Sequence, residues 1–204
     1  MQGQDHSGNE LNKPLVVVAG RSNVGKSSLV RALTGKRVRI GKRPGTTGHE
    51  ELIDLESIVL VDMPGFGYAA GKDRAAINRL KTGIVHRLEN WERRLLIAIL
   101  VIDVSLFREL VERWESRNEV PVDVEFYGFL SEISQYVIVA ANKTDKVANK
   151  DKSDEFGFLR MKLSEVGQAP DIIPVSVRDA ESIRDLRVRI ESILKQEGLE
   201  VPSW

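Results

Sequence analysis

The sequence contains no cysteine in its 204 residues. That excludes a disulfide framework and any thiolate-held metal or iron–sulfur centre. It also has no apolar run near the roughly 18 residues that a membrane-spanning helix needs, so no membrane association is expected. Met1 to Lys13 is polar and lacks the apolar core of a signal peptide, which makes the cytoplasm the expected location. The charge is not one-sided. Lys and Arg number 30, as do Asp and Glu, so bulk electrostatics neither requires nor forbids a nucleic-acid partner. Histidine is scarce, and His6, His49 and His86 have no metal-ligand spacing.

What is present is ordinary for a globular chain: 42% hydrophobic and 29% charged residues, enough to bury one sizeable core. Apolar runs and helical periodicities alternate from end to end, without repeats, linkers or low-complexity stretches. Strands are expected at Leu15 to Ala19, at two places within Leu52 to Asp62 broken near Glu56 and Ser57, at Leu95 to Ile102, Val137 to Ala141 and Ile172 to Val175. The eight-residue apolar run from Leu95 to Ile102 fits a strand covered on both faces. Helices are expected from Lys26 to Leu33 with Gly35 as stop, and over Asp73 to Trp91. Two more cover Ser153 to Val166, with Phe156, Leu159, Leu163 and Val166 inward, and Asp179 to Lys195. Val104 to Gln135 reads as one or two helices interrupted around Asn118 to Pro121. The reading is a three-layer α/β domain over residues 14–198, a mostly parallel six-stranded sheet between helices, with tails at 1–13 and 199–204.

Chemistry concentrates in loops that follow strands. Gly20-Arg21-Ser22-Asn23-Val24-Gly25-Lys26-Ser27 has the pattern G-x-x-x-x-G-K-[ST] between a strand and a helix. Such a loop aims a row of backbone N–H groups at a polyphosphate, and the helix starting near Lys26, followed by Ser27 and Ser28, adds its dipole. Lys26 would reach the β- and γ-phosphates and the Ser27 hydroxyl would take a Mg²⁺ position. Asp62-Met63-Pro64-Gly65 follows the third strand. Its acid is placed to hold Mg²⁺ through water and the Gly65 N–H to meet a γ-phosphate, although D-x-P-G also makes a plain strand-to-helix turn. Asn142-Lys143-Thr144-Asp145 follows the fifth strand. Guanine presents two donors on one edge, N1–H and the exocyclic amine, and the Asp145 carboxylate accepts both, whereas adenine leaves it unpaired. Asn142 would bond the base and brace neighbouring loops; a polar helix cap is the alternative. Ser176-Val177-Arg178 follows the sixth strand, where N–H groups can meet the guanine carbonyl.

Together these loops resemble the Ras-like P-loop GTPases over about Leu15 to Lys195. A narrower resemblance is to the EngB/YihA family of GTP-binding proteins. Its carriers are the loop just described, continued by Ser28-Leu29, and Asp62-Met63-Pro64-Gly65-Phe66-Gly67-Tyr68-Ala69. Arg43-Pro44-Gly45-Thr46-Thr47 is similar to that family's T-P-G-x-T switch segment, which implies that Gly45 and Thr46 border the nucleotide and that Thr47 ligates Mg²⁺ and senses the γ-phosphate. Two features depart from the bacterial pattern. The longer Val104 to Gln135 region points to an archaeal-type branch, and Ser176-Val177-Arg178 matches the fifth motif only loosely. The resemblance implies GTP and GDP as ligands, a ribosomal subunit or rRNA as partner in large-subunit assembly, and a link to cell division and septation. A monomer is expected, and no DNA partner.

Phe66 stands where many GTPases place a glutamine after D-x-x-G, so hydrolysis by the free protein is expected to be slow. Either a partner supplies a group in trans, or Asn23 helps hold K⁺ beside the phosphates, as the matching asparagine does in related translation-linked GTPases; Asn23 as a plain loop brace is the alternative. Lys36, Arg37, Arg39, Lys42 and Arg43 either touch rRNA phosphates, form a solvated basic loop, or lie near the nucleotide's own phosphates. Asp103 reads as a cap or loop brace rather than a metal ligand, and Phe126, Tyr127 and Phe129 as core packing rather than RNA-stacking residues. Trp91 and Trp114 read as core or interface anchors and Trp204 as a tail residue. The rivals are a GTP-dependent scaffold at the division site and a P-loop small-molecule kinase, the latter leaving Asn142 and Asp145 without work.

Overall fold

A computed structural model of the chain describes residues 13–35, 50–66 and 74–204; over 74–81 it gives the course of the helix alone. Elements run β1 (Leu15–Ala19), α1 (Lys26–Thr34), β2 (Glu51–Leu55), β3 (Ile58–Asp62) and α2 (Arg74–Trp91), then β4 (Leu95–Asp103), α3 (Phe107–Glu115) and α4 (Val122–Ile133). The chain continues through β5 (Tyr136–Asn142), α5 (Lys152–Ser164), β6 (Asp171–Pro174) and α6 (Ala180–Gln196). The strands form one six-stranded sheet in the order β2-β3-β1-β4-β5-β6. All neighbours are parallel except β2 and β3, whose hairpin turns at Glu56 with φ 62°. Pro174 is tolerated because β6 is an edge strand that needs one ladder side only.

Side chains alternate across the sheet and so build two cores. Leu15, Val17, Val61, Leu100 and Ile102 meet α2, α3, α4 and α5 through Ile84, Leu88, Phe107, Phe126, Leu130, Leu159 and Leu163. Val16, Val18, Leu60, Ile99 and Val101 meet α1 and α6 through Leu29, Leu33, Ile183, Leu186, Ile190 and Ile193. Central β4 is buried along its whole length, which explains its unbroken apolar run. Its register against β1 shifts by one residue, Leu15 facing Leu95 but Val16 facing Ile97, so Leu96 and Ile97 both join the α1–α6 side.

Helix α5 ends at Ser164 rather than Val166, so Val166, expected to point inward, is 42% exposed. The uncertain stretch resolves into two helices, α3 and α4, with the break at Ser116 to Pro121. The C-terminal residues pack on the sheet's α1–α6 side: the Ser57 hydroxyl donates to the Glu200 carbonyl at 2.7 Å, and Trp204 Nε1 to Glu191 Oε1 at 2.8 Å. His6, His49 and the segment Lys36 to Gly48 fall outside the described residues, as does Gly67 to Lys72 within the Met63 to Lys72 loop.

Candidate functional site: a cleft along one rim of the sheet

With five strands parallel, their carboxyl ends share one rim, and strand order changes direction there at β1 and β4. A crevice at such a point is where open α/β sheets take ligands. The loop after β1 lines it. Gly20 has φ 142° and Gly25 φ 104°, both left-handed. A Cβ on Gly20 would lie 2.4 Å from the Val101 carbonyl oxygen, and one on Gly25 would lie 2.4 Å from Asn142 Nδ2. Backbone that close to β4 admits no side chain. Gly20→Ala is therefore expected to destabilise the fold by about 3 kcal/mol, strain and clash combined. Urea denaturation of the isolated protein measures it.

Helix α1 starts at Lys26 with no side-chain cap on its free N–H groups, which leaves them for an anion. Lys26 itself is buried, its Nζ donating to the Arg21 carbonyl at 2.7 Å. Desolvation lowers its pKa to about 8, against the opposing attraction of Asp62 and Asp123. Ser27 and Ser28 lie exposed beside it. Asp62, the last residue of β3, is buried and its Oδ1 has no hydrogen-bond partner. Burial raises its pKa, while a hydrogen bond from Ser27 and the charges of Lys26 and Arg31 work the other way. An orphaned carboxylate oxygen next to a serine hydroxyl is what an oxygen-seeking divalent cation would satisfy, so these residues fit Mg²⁺. Thr47, with Gly45 and Thr46, lies outside the described residues.

Met63 to Phe66 lies against the glycine-bounded loop. The Ser22 N–H donates to the Phe66 carbonyl at 2.8 Å and the Ser22 hydroxyl to the Gly65 carbonyl at 3.2 Å. A Cβ on Gly65 would sit 2.8 Å from Lys26 Nζ and 2.7 Å from Ser22 Cα. The Phe66 ring does not face the cleft: it is 1% exposed and packs against Phe126, the rings tilted by 48° with 4.3 Å between their centres.

Asn142 ends β5 and is buried, its Nδ2 donating to the Val24 carbonyl at 2.8 Å. Its Oδ1 has no partner. Lys143, at φ 66°, reaches back to the Asn23 carbonyl at 2.7 Å and to Asp103 Oδ2 at 2.6 Å. Asp103 also accepts from the Ser105 hydroxyl at 2.6 Å and so braces the two loops. Thr144 donates to the Val175 carbonyl. Asp145 accepts from the Ser176 hydroxyl at 2.9 Å and pairs with the exposed Arg178 at 3.4 Å. The Ser176 hydrogen bond above all holds the Asp145 carboxyl below the usual range. The cleft measures about 460 Å³, and Lys26, Ser27, Asp145 and Val177 all line it.

A family model described as a 50S ribosome-binding GTPase matches residues 15–143. A probable GTP-binding protein EngB of Pyrococcus abyssi is 41% identical over 187 residues, 89% of this chain and 86% of that one. The chain belongs to the EngB family. With the family come the P-loop GTPases as its class, and archaeal members of the family stand among its close relatives. A crystal structure of a probable GTP-binding protein EngB superposes with a TM-score of 0.79 at 40% identity, covering 89% of this chain and 99% of that one. A bacterial selenocysteine-specific elongation factor shares the fold at a TM-score of 0.61 and 20% identity, covering 91% of this chain and 29% of that one.

Sequence reasoning missed two features of this EngB chain. One is the burial of Phe66. The other is Asp123, a buried acid of α4 that pairs with Arg21 at 3.7 Å. Its signal was available: it lies three residues before Phe126 and seven before Leu130, on the apolar stripe of a helix.

Proposed function

We propose that this protein is a slow GTPase that works as a monomeric cytoplasmic switch in assembly of the large ribosomal subunit. The observation that carries the nucleotide part is that Lys26 and Asp145, 119 positions apart in sequence, line one and the same cleft. In this reading Gly20 to Ser28 cradles the phosphates, Asp62 to Gly65 and Gly45 to Thr47 border the γ-phosphate, and Asn142 to Asp145 with Ser176 and Val177 hold guanine. Residues 14–198 then form the G domain. Ser27, Thr47 and Asp62 would hold Mg²⁺, which supplies charge neutralisation at the phosphates.

The rate follows from Phe66. Its ring packs in the core and offers water neither an acceptor nor a base. Unassisted hydrolysis should run on the order of 10⁻⁴–10⁻² s⁻¹, as in GTPases without a full catalytic set. Asn23 is exposed at the cleft, which supports its holding K⁺ there. Hydrolysis in KCl should then exceed that in NaCl severalfold, and equal rates would leave Asn23 as a brace alone.

The ribosomal partner is supported by the family's description; hydrolysis would release the two switch segments, Lys36 to Gly48 and Met63 to Lys72. Co-sedimentation with large ribosomal subunits in a non-hydrolysable GTP analogue, lost in GDP, is the expected result. Absence of binding in either nucleotide at low salt would count against it.

A further inference from the structure

We propose that Asp123 of α4 is a positioning residue for phosphate binding, acting through Arg21 on Lys26. The inference rests on the nucleotide reading above and adds a residue outside the loops that touch the ligand.

The chain of contacts is short. Asp123 Oδ2 pairs with the Arg21 guanidinium at 3.7 Å, the acid 7% and the arginine 22% exposed. The carbonyl of the same Arg21 accepts from Lys26 Nζ at 2.7 Å. Arg21 also bridges to Phe66, whose ring rests on Phe126, one turn along α4 from Asp123. One face of α4 thus grips both the loop that carries Lys26 and the segment that begins with Gly65.

A plainer role is a first-turn acid on the α4 dipole, but Glu125 stands in the same turn and is exposed, so the dipole needs no buried carboxylate. Burial makes Asp123 costly: desolvation drives its pKa up to about 6 against the pull of Arg21 and Lys26, with Asp103 adding repulsion. Its Oδ1 has no partner. A buried pair of this kind contributes little net stability and is often replaced by apolar residues without loss. What it supplies is one fixed placement of Arg21, and through the Arg21 carbonyl, of the Lys26 ammonium.

Two variants separate placement from stability. GDP affinity, by titration with a fluorescent GDP analogue in Mg²⁺, and the nucleotide-free melting temperature are measured for wild type, Asp123→Asn and the double variant Arg21→Met with Asp123→Leu. The double variant is expected to melt at or above wild type, yet to bind GDP at least tenfold more weakly. Asp123→Asn should lose three- to tenfold in affinity with its melting temperature within about 2 °C of wild type. GDP binding within twofold of wild type in either variant overturns the proposal. So does an affinity loss that simply follows melting temperature, or failure of both variants to fold. A wild-type protein that binds no GDP would instead overturn the nucleotide reading itself.

Discussion

Replacing Asp145 with asparagine is expected to weaken GTP binding by roughly 30-fold to 1,000-fold or more, and to create binding of xanthosine triphosphate. The Ser176 hydroxyl donates to Asp145 Oδ1 and holds the carboxyl below its usual range, so the group is ionised at any working pH. Both of its oxygens accept, which matches the two donors of guanine. Guanine displaces only Arg178, an 80% exposed partner at 3.4 Å, and an exposed pair of that kind is worth little. In the variant, Ser176 fixes the amide with its oxygen toward the hydroxyl. The amide nitrogen then faces the exocyclic amine of guanine, donor against donor. Losing a charge-assisted pair costs on the order of 2–5 kcal/mol, the source of that fold range. Xanthine carries a carbonyl where guanine has the amine, and the amide nitrogen can donate to it. Competitive titration of GTP and xanthosine triphosphate checks this, and an unchanged melting temperature shows that the fold is intact.

Lys26→Met should abolish nucleotide binding and at the same time make the nucleotide-free protein more stable. The ammonium is buried, and desolvation lowers its pKa from 10.5 to about 8. The free protein thus bears a charge it would be better without, by up to about 3 kcal/mol at neutral pH, an order-of-magnitude figure from about 1.4 kcal/mol per unit. The sign can be tested by pH. Unfolded, Lys26 keeps its proton up to about 10.5, whereas folded it releases it near 8. Between those values the unfolded state binds more protons, so wild-type stability should gain a rising component as pH climbs through that window. The methionine variant should lack that component. Chemical denaturation at pH 7, 8 and 9.5 measures both, and a variant less stable than wild type at every pH would contradict the assignment.

The two predictions share an origin in how function was written into the chain. Gly20 to Ser27 and Asn142 to Asp145 stood out because the phosphate cradle and purine edge proposed for them demand fixed residue types at fixed spacings, next to each other in sequence, and the fold brings both segments to one cleft. The strand and helix pattern was equally open: the unbroken run of β4 announced burial on both faces, and Ile183, Leu186, Ile190 and Ile193 announced the inner face of α6. What stayed hidden was contact between residues far apart in sequence. Phe66 could be read as the absence of a glutamine, but not as a ring packed against Phe126 60 positions later. Arg21 could be placed in the glycine-bounded loop, but nothing local tells that its charge meets an acid of α4. Trp204 read as a tail residue, and only the fold brings its indole N–H to Glu191. Local rules mark where chemistry stands. Tertiary packing decides what holds it in place.

The central claim is that the rim of this sheet binds one guanine nucleotide, with Lys26 at its phosphates and Asp145 at its base. Calorimetric titration of one nucleotide-free sample with GDP and then with ADP, both with Mg²⁺, tests it most directly. A one-to-one complex with GDP, at least a hundredfold tighter than any with ADP, is the result expected. Equal affinities, a preference for ADP, or no binding of either would contradict it.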